Sequence, residues 1–259
     1  MNSTLQLLKD RFSLRKYADK EITDEDLNAI IDAAIGAPTA GNMMMYSIIV
    51  VKDKNKKYIL SKTCDNQPFI ANTPVILIFV ADCKRWFDYY NLSNVKDFCL
   101  NKKMPFTAPD ISNLLLASSD ALIAAENAVI AAESLSIGSC YIGDIMEKYE
   151  IHKELLKLPE YTFPVAMLCM GYYPENAVRK PRVRFKKDYI VFNEEYKILK
   201  NEEIIDMFSE KEKSFFKENK YGAENYGQMH YSFKTGSDFS KEMARSVKEA
   251  IKQWNGDEL

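Results

Sequence analysis

The stretch AAENAVIAAESLSIGSCYIGD, residues 124–144, joins a long helix to a strand and therefore sets the fold class. The pattern predicts a helix that begins at Ser118 or Ser119 and ends at Gly138. Its apolar residues, many of them alanine, cover nearly the whole circumference. Such a helix must be buried on most sides, either in a large core or against another subunit. CYIGD then predicts a strand.

Further strands and helices are predicted on both sides of this stretch. YSIIVVK (residues 46–52) is short, apolar and β-branched, which is typical of a central strand, and PVILIFVAD (74–82) and FPVAMLCMGY (163–172) predict two more. Thr23 and Asp26 resemble a capping box, and helical spacing then runs to Gly36. The irregular alternation of strands and helices indicates a mixed α+β architecture.

Three other segments complete the pattern. An amphipathic helix is predicted around residues 144–158. Residues 83–112 are rich in aromatic side chains and predict an irregular excursion, either at a substrate entrance or packed in a dimer. From about residue 201 the chain is rich in lysine and glutamate and has a helical pattern.

The composition excludes several classes of function. The 259 residues carry a net charge of −2, which argues against a nucleic-acid surface. The chain has two histidines and no convincing serine-hydrolase motif, so hydrolase chemistry is poorly supported. It also has no His-Glu-x-x-His motif for zinc, no glycine-rich loop for nucleoside triphosphates and no dinucleotide-binding motif. Five scattered cysteines favour reduced thiols in the cytoplasm. If the chain is an enzyme, an organic cofactor is expected to supply the reactivity.

A basic motif near the N-terminus suggests what that cofactor is. In RFSLRKY (residues 11–17), Arg11 and Ser13 lie two positions apart on an extended segment and can face the same side. A phosphate group binds best to such guanidinium and hydroxyl donors.

Four segments in order carry a resemblance to a known family. They are RFSLRKY, APTAGN (residues 37–42), the stretch 124–144 and KPR (180–182). Together they resemble the FMN-dependent nitroreductase family, in particular its larger, oxygen-insensitive, group A-like branch. The resemblance implies a nitroreductase-like fold, with a central mixed, mostly antiparallel sheet flanked by helices in an intertwined homodimer. Residues 1–200 would form the FMN-binding domain and residues 201–259 a helical extension of it.

The resemblance assigns roles to individual residues. Lys180 and Arg182 would join Arg11 and Ser13 at the FMN phosphate, although each alone is also typical of solvated surface charge. Arg15 matches a cation that stabilises the negative charge of reduced flavin. Gly143 would bring its backbone N–H to flavin N5, or serve only as a turn. Arg15 and Gly143 are the predicted catalytic residues.

The loop APTAGN (residues 37–42), which follows the helix predicted to begin at Thr23, would reach the flavin of the partner subunit. Thr39 and Asn42 are its polar candidates, although the stretch is also a helix-terminating loop. Met44 stands where many family members have a glutamine, which favours an apolar wall. Gln67 would reach the pyrimidine edge of the flavin, or lie exposed in its loop. The predicted cofactor-binding residues are Arg11, Phe12, Ser13, Arg15, Pro38, Thr39, Ala40, Asn42, Gln67, Tyr141, Ile142, Gly143, Lys180 and Arg182, and no metal site is predicted.

The implied function is a ping-pong oxidoreductase. NADH or NADPH would reduce FMN, and a nitroaromatic, a quinone or a similar small acceptor would then be reduced in the same pocket. An NAD(P)H:flavin reductase would use the same residues, and a flavin-binding sensor or storage protein without turnover is a third hypothesis. The stretch NKYGAENYGQMHYSFKTG (219–236) contains no arginine for the 2′-phosphate of NADPH, so the sequence does not decide between the two nucleotides.

Overall fold

A computed structural model describes residues 2–178, 182–216 and 218–254. The chain divides into two compact units, one formed by residues 1–179 with 242–259 and the other by residues 180–241. The first unit contains the sheet. The assignment of FMN binding to residues 1–200, with a helical extension from 201, stays a prediction.

Four strands form one sheet. They are β1 (Tyr46–Val51), β2 (Val75–Asp82), β3 (Ile137–Ile142) and β4 (Thr162–Tyr172), in the order β1-β2-β4-β3. Each neighbouring pair is antiparallel, and parallel pairing enters through an isolated bridge between Ser13 and Ser139. The prediction that β1 is central was wrong, because β1 is an edge strand of the described sheet. Its Val50 is accordingly 40% exposed.

Helices pack on both faces of the sheet in the first unit. The capping box predicted at Thr23 is confirmed on its N-cap side, because its hydroxyl oxygen accepts a hydrogen bond from the Asp26 backbone N–H at 3.1 Å. The helices are α1 (Ser3–Asp10), α2 (Asp24–Ile35), α3 (Lys54–Thr63), α4 (Lys84–Leu92), α5 (Val95–Lys102), α6 (Ile111–Ser134), α7 (Tyr149–Leu156), α8 (Asn201–Glu212), α9 (Tyr226–Phe233) and α10 (Asp238–Ile251).

The sheet separates two hydrophobic cores. Alternate residues of β2 serve opposite faces: Leu77 and Phe79 pack with α2 and α6, whereas Ile76 and Ile78 pack with α3 and α7. All eight residues of β2 are buried, which explains its continuous apolar sequence. The first unit is therefore a three-layer α+β structure.

The helix α6 differs from its prediction at both ends. It begins at Ile111 because the Asp110 carboxylate accepts hydrogen bonds from the backbone N–H groups of Ser112 and Asn113. It ends at Ser134, and Gly138 lies inside β3 instead of ending the helix. The helix is long and apolar enough to cross a membrane by length and composition alone. Its alanine-rich side, however, is buried in the core.

The structure differs from the prediction in two other segments as well. Residues 83–112 are not irregular throughout, because they contain α4 and α5. The helix predicted over residues 144–158 is α7, which is shorter and follows a 3₁₀ turn at Gly143–Met146.

The second unit contains α8 and α9, as the helical pattern after residue 201 predicts. Within it, Phe185 and Phe208 contact each other with ring centroids 5.0 Å apart, and Lys186 pairs with Asp206 at 3.0 Å.

Candidate functional site

The basic N-terminal motif lies alongside β3. The Leu14 backbone N–H donates to the Ser139 carbonyl at 2.9 Å, and that of Ala18 donates to Tyr172 at 2.9 Å. Leu14 is buried and Arg15 is exposed, as alternation in an extended segment requires. The sheet thereby fixes the path of the motif.

A pair of glycines makes room for this motif. Gly138 of β3 and Gly171 of β4 are directly opposite each other in the sheet. A Cβ atom on Gly138 would lie 2.5 Å from Leu14 Cδ2, and one on Gly171 would lie 2.7 Å from Tyr17 Cδ1. Because real Cβ atoms do not approach other atoms so closely, Leu14 and Tyr17 can pack here only against glycine.

The side chains of the motif contact residues from distant parts of the chain. The ring centroids of Phe12 and Tyr173 lie 5.5 Å apart. The Arg15 guanidinium lies 5.8 Å from the centroid of the Phe69 ring. Burial and the neighbouring Glu126 carboxylate raise the pKa of Tyr141, while the positive charge of Arg11 opposes that shift. Arg11 therefore lies near the end of β3.

Gln67 and the turn after β3 meet each other. The Gln67 side-chain amide donates to the Asp144 carboxylate at 2.7 Å and to the Cys64 carbonyl at 3.1 Å. Gly143, next to Asp144, is exposed, and a Cβ atom placed on it would meet no atom within 4 Å. Ile142 is 2% exposed and packs in the core, so only its backbone can face a ligand.

An open cleft of about 750 Å³ borders the motif. Its size is sufficient for a bound cofactor or substrate. The lining residues are Phe12, Leu14, Arg15, Lys16, Ala18, Pro174, Glu175, Asn176, Ala177 and Val178.

The loop of residues 38–45 is held by a different part of the molecule. The buried Asp120 carboxylate of α6 accepts hydrogen bonds from the backbone N–H groups of Ala40, at 2.9 Å, and Met45, at 3.3 Å. The Trp86 indole N–H donates to the Met43 carbonyl at 2.7 Å. The Thr39 hydroxyl oxygen accepts from the Met44 N–H at 3.2 Å.

Within one chain, this loop and the basic motif lie at different sides of α6. Asp120 holds the loop, whereas Glu126 accepts the Tyr141 hydroxyl at 3.2 Å beside the motif. Six residues of α-helix rise about 9 Å and rotate by about 240°, so these two carboxylates face different directions. The structure thus forms two separate groups of predicted site residues. Pro38, Thr39, Ala40 and Asn42 belong to one, and Arg11, Phe12, Ser13, Arg15, Gln67, Tyr141, Ile142 and Gly143 belong to the other.

Comparison with known proteins identifies the family. A sequence profile described as the nitroreductase family matches residues 8–172. The chain is 32% identical over 183 residues to "FMN reductase [NAD(P)H]" of Bacillus subtilis (strain 168), covering 71% of each chain. The chain belongs to the nitroreductase family.

Two further proteins match over nearly the whole chain. An "NADPH-dependent oxidoreductase" of Staphylococcus haemolyticus (strain JCSC1435) is 30% identical over 250 residues, covering 93% of this chain and 95% of that protein. The structure of B. megaterium NfrA2 is 30% identical, covers 100% of both chains and superposes with a TM-score of 0.78. Both the family and the nitroreductase-like fold implied by the sequence motifs are therefore confirmed.

The last two predicted residues of this nitroreductase-family site are at KPR. Lys180 lies outside the described residues. Arg182 is exposed and belongs to the second unit, so its predicted role at the phosphate stays a prediction.

Sequence analysis missed several residues that hold the predicted site residues or their loop in place. Asp120 is a carboxylate among alanines, and that isolated charge in an apolar helix was the signal available for it. Asp144 and Trp86 carry no comparable local signal, since their partners lie 77 and 43 residues away in sequence.

His152 is another residue that sequence analysis gave no role. It is fully buried and contacts the Ile145 carbonyl through Nδ1 at 2.8 Å and the Thr63 hydroxyl through Nε2 at 2.7 Å. A carbonyl can only accept, so Nδ1 carries the proton and the neutral ring accepts from Thr63 at Nε2. His152 thus joins the end of α3 to the turn that contains Gly143.

The stability of the protein is expected to fall below pH 6.5 because of His152. Burial lowers the pKa of His152, so the unfolded chain binds a proton there that the folded chain does not. Stability from this residue is present above pH 6.5, the ordinary pKa of a histidine, and is lost as the pH falls from there towards the lowered pKa of the folded state. Melting temperatures from pH 5 to 8 test this expectation.

The two histidines provide a matched pair of variants. His152→Gln is expected to flatten the slope of stability between pH 5 and 7, whereas His230→Gln, at an exposed position, is expected to keep it. Equal slopes in His152→Gln and the parent protein would contradict the assignment.

Proposed function

We propose that this chain is an FMN-dependent oxidoreductase that transfers hydride from NADH or NADPH to nitroaromatics, quinones or similar acceptors by a ping-pong mechanism. The observation that carries this proposal is that residues 11–15 border an open cleft, while Arg15 reaches Phe69, close in sequence to Gln67, which in turn binds Asp144 beside Gly143. Its relatives include proteins named FMN reductase, NADPH-dependent oxidoreductase and "Oxygen-insensitive NADPH nitroreductase".

The residues present fit FMN. Arg11 and Ser13 are partly buried donors on a segment whose path is fixed by the sheet, and they would hold the phosphate. The Gly143 backbone lies in open space, where a planar ring can approach without meeting a side chain.

The bound flavin would supply the two-electron chemistry, accepting hydride from the nicotinamide and delivering it to the acceptor. The chain's own contribution is to bind and orient. Arg15 supplies a fixed positive charge that stabilises negative charge on the ring system. The Gly143 N–H is a hydrogen-bond donor on a rigid turn, held through Ile145 by His152. Since no side-chain acid or base is needed for this transfer, the scarcity of histidine is compatible with the activity.

The absorption spectrum of the purified protein tests this function first. A flavin spectrum is expected to bleach anaerobically with NADH or NADPH and to return on addition of a nitroaromatic or a quinone. A colourless protein that cannot be reconstituted with FMN would overturn the proposal.

A flavin reductase is the second candidate, because the Bacillus subtilis relative carries that name. In that case free FMN would reoxidise the reduced enzyme faster than any nitroaromatic does. Full flavin occupancy with negligible oxidation of NADH and NADPH would instead indicate a sensor or storage protein. We place the protein in the cytoplasm, in agreement with its five free cysteines.

We also propose that the site is completed by a second subunit. The two groups of site residues lie apart within one chain, and α6 exposes an apolar stripe of Ile111, Leu115, Leu116, Leu122 and Ile123, between 39% and 65% exposed. A stripe of this kind on a core helix is suited to an isologous contact. The loop of residues 38–42 would then reach the flavin bound by its partner.

Two charges on the α6 stripe are expected to give monomers without FMN. In the variant with Leu115→Glu and Leu122→Glu, the carboxylates would have to be buried unpaired in the interface. Light scattering after size exclusion measures the mass, and flavin absorbance measures the occupancy. Tyr58→Glu on α3, which packs on the opposite face of the sheet, is the control and should remain a dimer. A dimeric double variant with full FMN occupancy would contradict this arrangement.

A further inference from the structure

Two carboxyl groups lie in the turn that contacts Gln67, and the function proposed above uses neither of them. Asp144 accepts the Gln67 amide at 2.7 Å. Glu147 follows in the same turn, where its backbone N–H donates to the Asp144 carbonyl at 3.0 Å. Glu147 is only 3% exposed, an unusual position for a glutamate.

The hydrogen bonds of Gln67 determine which of its atoms can face a ligand. The amide nitrogen has two protons, and both its contacts, the Asp144 carboxylate and the Cys64 carbonyl, are acceptors. These two acceptors use the donor capacity of the side chain. Gln67 can therefore offer a ligand its carbonyl oxygen, and so acts as an acceptor.

The surroundings of Glu147 favour its neutral form. Burial raises the pKa of Glu147 to about 8, and the charges of Asp144 and Asp65 add to the effect, while Lys148 opposes it. Burial raises the pKa of the nearby Cys64 thiol, and the charges of Asp144 and Glu147 add to that shift. At neutral pH the Glu147 carboxyl can therefore donate a hydrogen bond to Asp144, which leaves one negative charge in the turn instead of two.

We propose that Asp144 and Glu147 are positioning residues that hold Gln67 as a hydrogen-bond acceptor for the N3–H of the flavin's pyrimidine ring. This inference rests on the proposed function, because it requires bound flavin. Asp144 fixes the orientation of the Gln67 amide, and Glu147 stabilises Asp144. Without them the amide can rotate and present its donor group to the N3–H, which is itself a donor.

The arrangement makes flavin binding sensitive to alkaline pH. When Glu147 loses its proton, its charge repels the Asp144 carboxylate, and the donor to Asp144 is lost as well. The hold on Gln67 weakens, and the dissociation constant of FMN is expected to rise about fivefold between pH 7 and 9.

The test measures FMN binding by flavin fluorescence across pH 7 to 9, with the full-length apoprotein. Glu147→Gln can donate to Asp144 but cannot titrate, so its FMN affinity is expected to be independent of pH in this range. Glu154→Gln, an exposed glutamate on α7, is the control and should keep the parent profile. Changes in FMN's own ionisation are common to all variants and cancel in the comparison.

A mutant cycle separates positioning from a general structural role. Gln67→Ala and Asp144→Ala are each expected to weaken FMN binding about tenfold, and the double variant by no more than either alone, because Asp144 acts through Gln67. Circular dichroism and melting temperature confirm that each variant is folded.

The outcomes distinguish this inference from the proposed function. If the parent protein binds no FMN, the proposed function fails. If the parent protein binds FMN but Glu147→Gln retains the parent's pH profile, or if the two alanine penalties multiply, only the positioning role is overturned.

Discussion

Replacing Gly138 by alanine is expected to reduce stability, whereas replacing Gly143 by alanine is expected to reduce activity. The added methyl group is the same in both variants, and the two positions are five residues apart. At Gly138 the Cβ atom would lie 2.5 Å from Leu14 Cδ2 and 2.8 Å from the Tyr173 ring. At Gly143 it would meet no protein atom within 4 Å.

Gly138→Ala is expected to lower the free energy of unfolding by about 1–3 kcal/mol, because the neighbouring side chains must move to admit the methyl group. Leu14 is the nearest of them, and its displacement shifts Arg11, Ser13 and Arg15 as well. FMN binding should weaken together with stability. Urea unfolding and FMN titration measure the two effects.

Gly143→Ala is expected to leave the free energy of unfolding within about 0.5 kcal/mol of the parent value. Under the proposed function, however, its methyl group would occupy the open space beside the backbone N–H that is expected to face the flavin. A displacement of the reacting groups by about 1 Å can reduce rates about a hundredfold, so kcat/KM for NADPH oxidation should fall by at least about tenfold. Normal activity in Gly143→Ala, or normal stability in Gly138→Ala, would contradict the assignment of these glycines.

Arg11→Ala is expected to weaken FMN binding by about 10- to 100-fold. A hydrogen bond to a charged group contributes about 1.5–3 kcal/mol, and Arg11 is the partly buried cation of the basic motif. Lys9→Ala removes an exposed cation from the end of α1 and is the matched control, with an expected change below about twofold.

Riboflavin provides a second control, because it has the same ring system but no phosphate. If Arg11 binds the phosphate, Arg11→Ala weakens binding of FMN while affinity for riboflavin stays close to that of the parent protein. Equal losses for both ligands would show that Arg11 acts on the ring or on the fold. Higher salt should reduce the difference between the parent protein and Arg11→Ala, since the contact is between charges.

Several elements could be predicted because their signals are local. The β-branched and apolar run in β2 indicates a strand that is buried on both faces, and Thr23 is placed to cap α2. The N-terminal motif shows which side chains of an extended segment share a face. The family could be recognised because its motifs keep their order along the chain.

The errors have local causes too. Gly138 was interpreted as the end of α6 because glycine commonly ends helices, whereas it lies in β3 opposite Gly171. The start of α6 was placed at a serine, although Asp110 and Asn113 form the capping box actually used. Periodicity alone also could not show that β1 is at the edge of the sheet, since Val50 is the only strand residue with more than a third of its surface exposed in the described chain.

The sequence by itself determined several of the helices and strands, the basic motif and the family, because periodicity, caps and residue order are properties of short segments. The tertiary structure alone decided which segments meet. Gln67 contacts Asp144 across 77 residues, and His152 contacts Thr63 across 89. Both contacts join the end of α3 and the turn after it to the turn and helix that follow β3, and these segments are far apart in the sequence. Hydrophobic patterning specifies which face of a segment is buried but not its partner, so this part of the site could only be found in three dimensions.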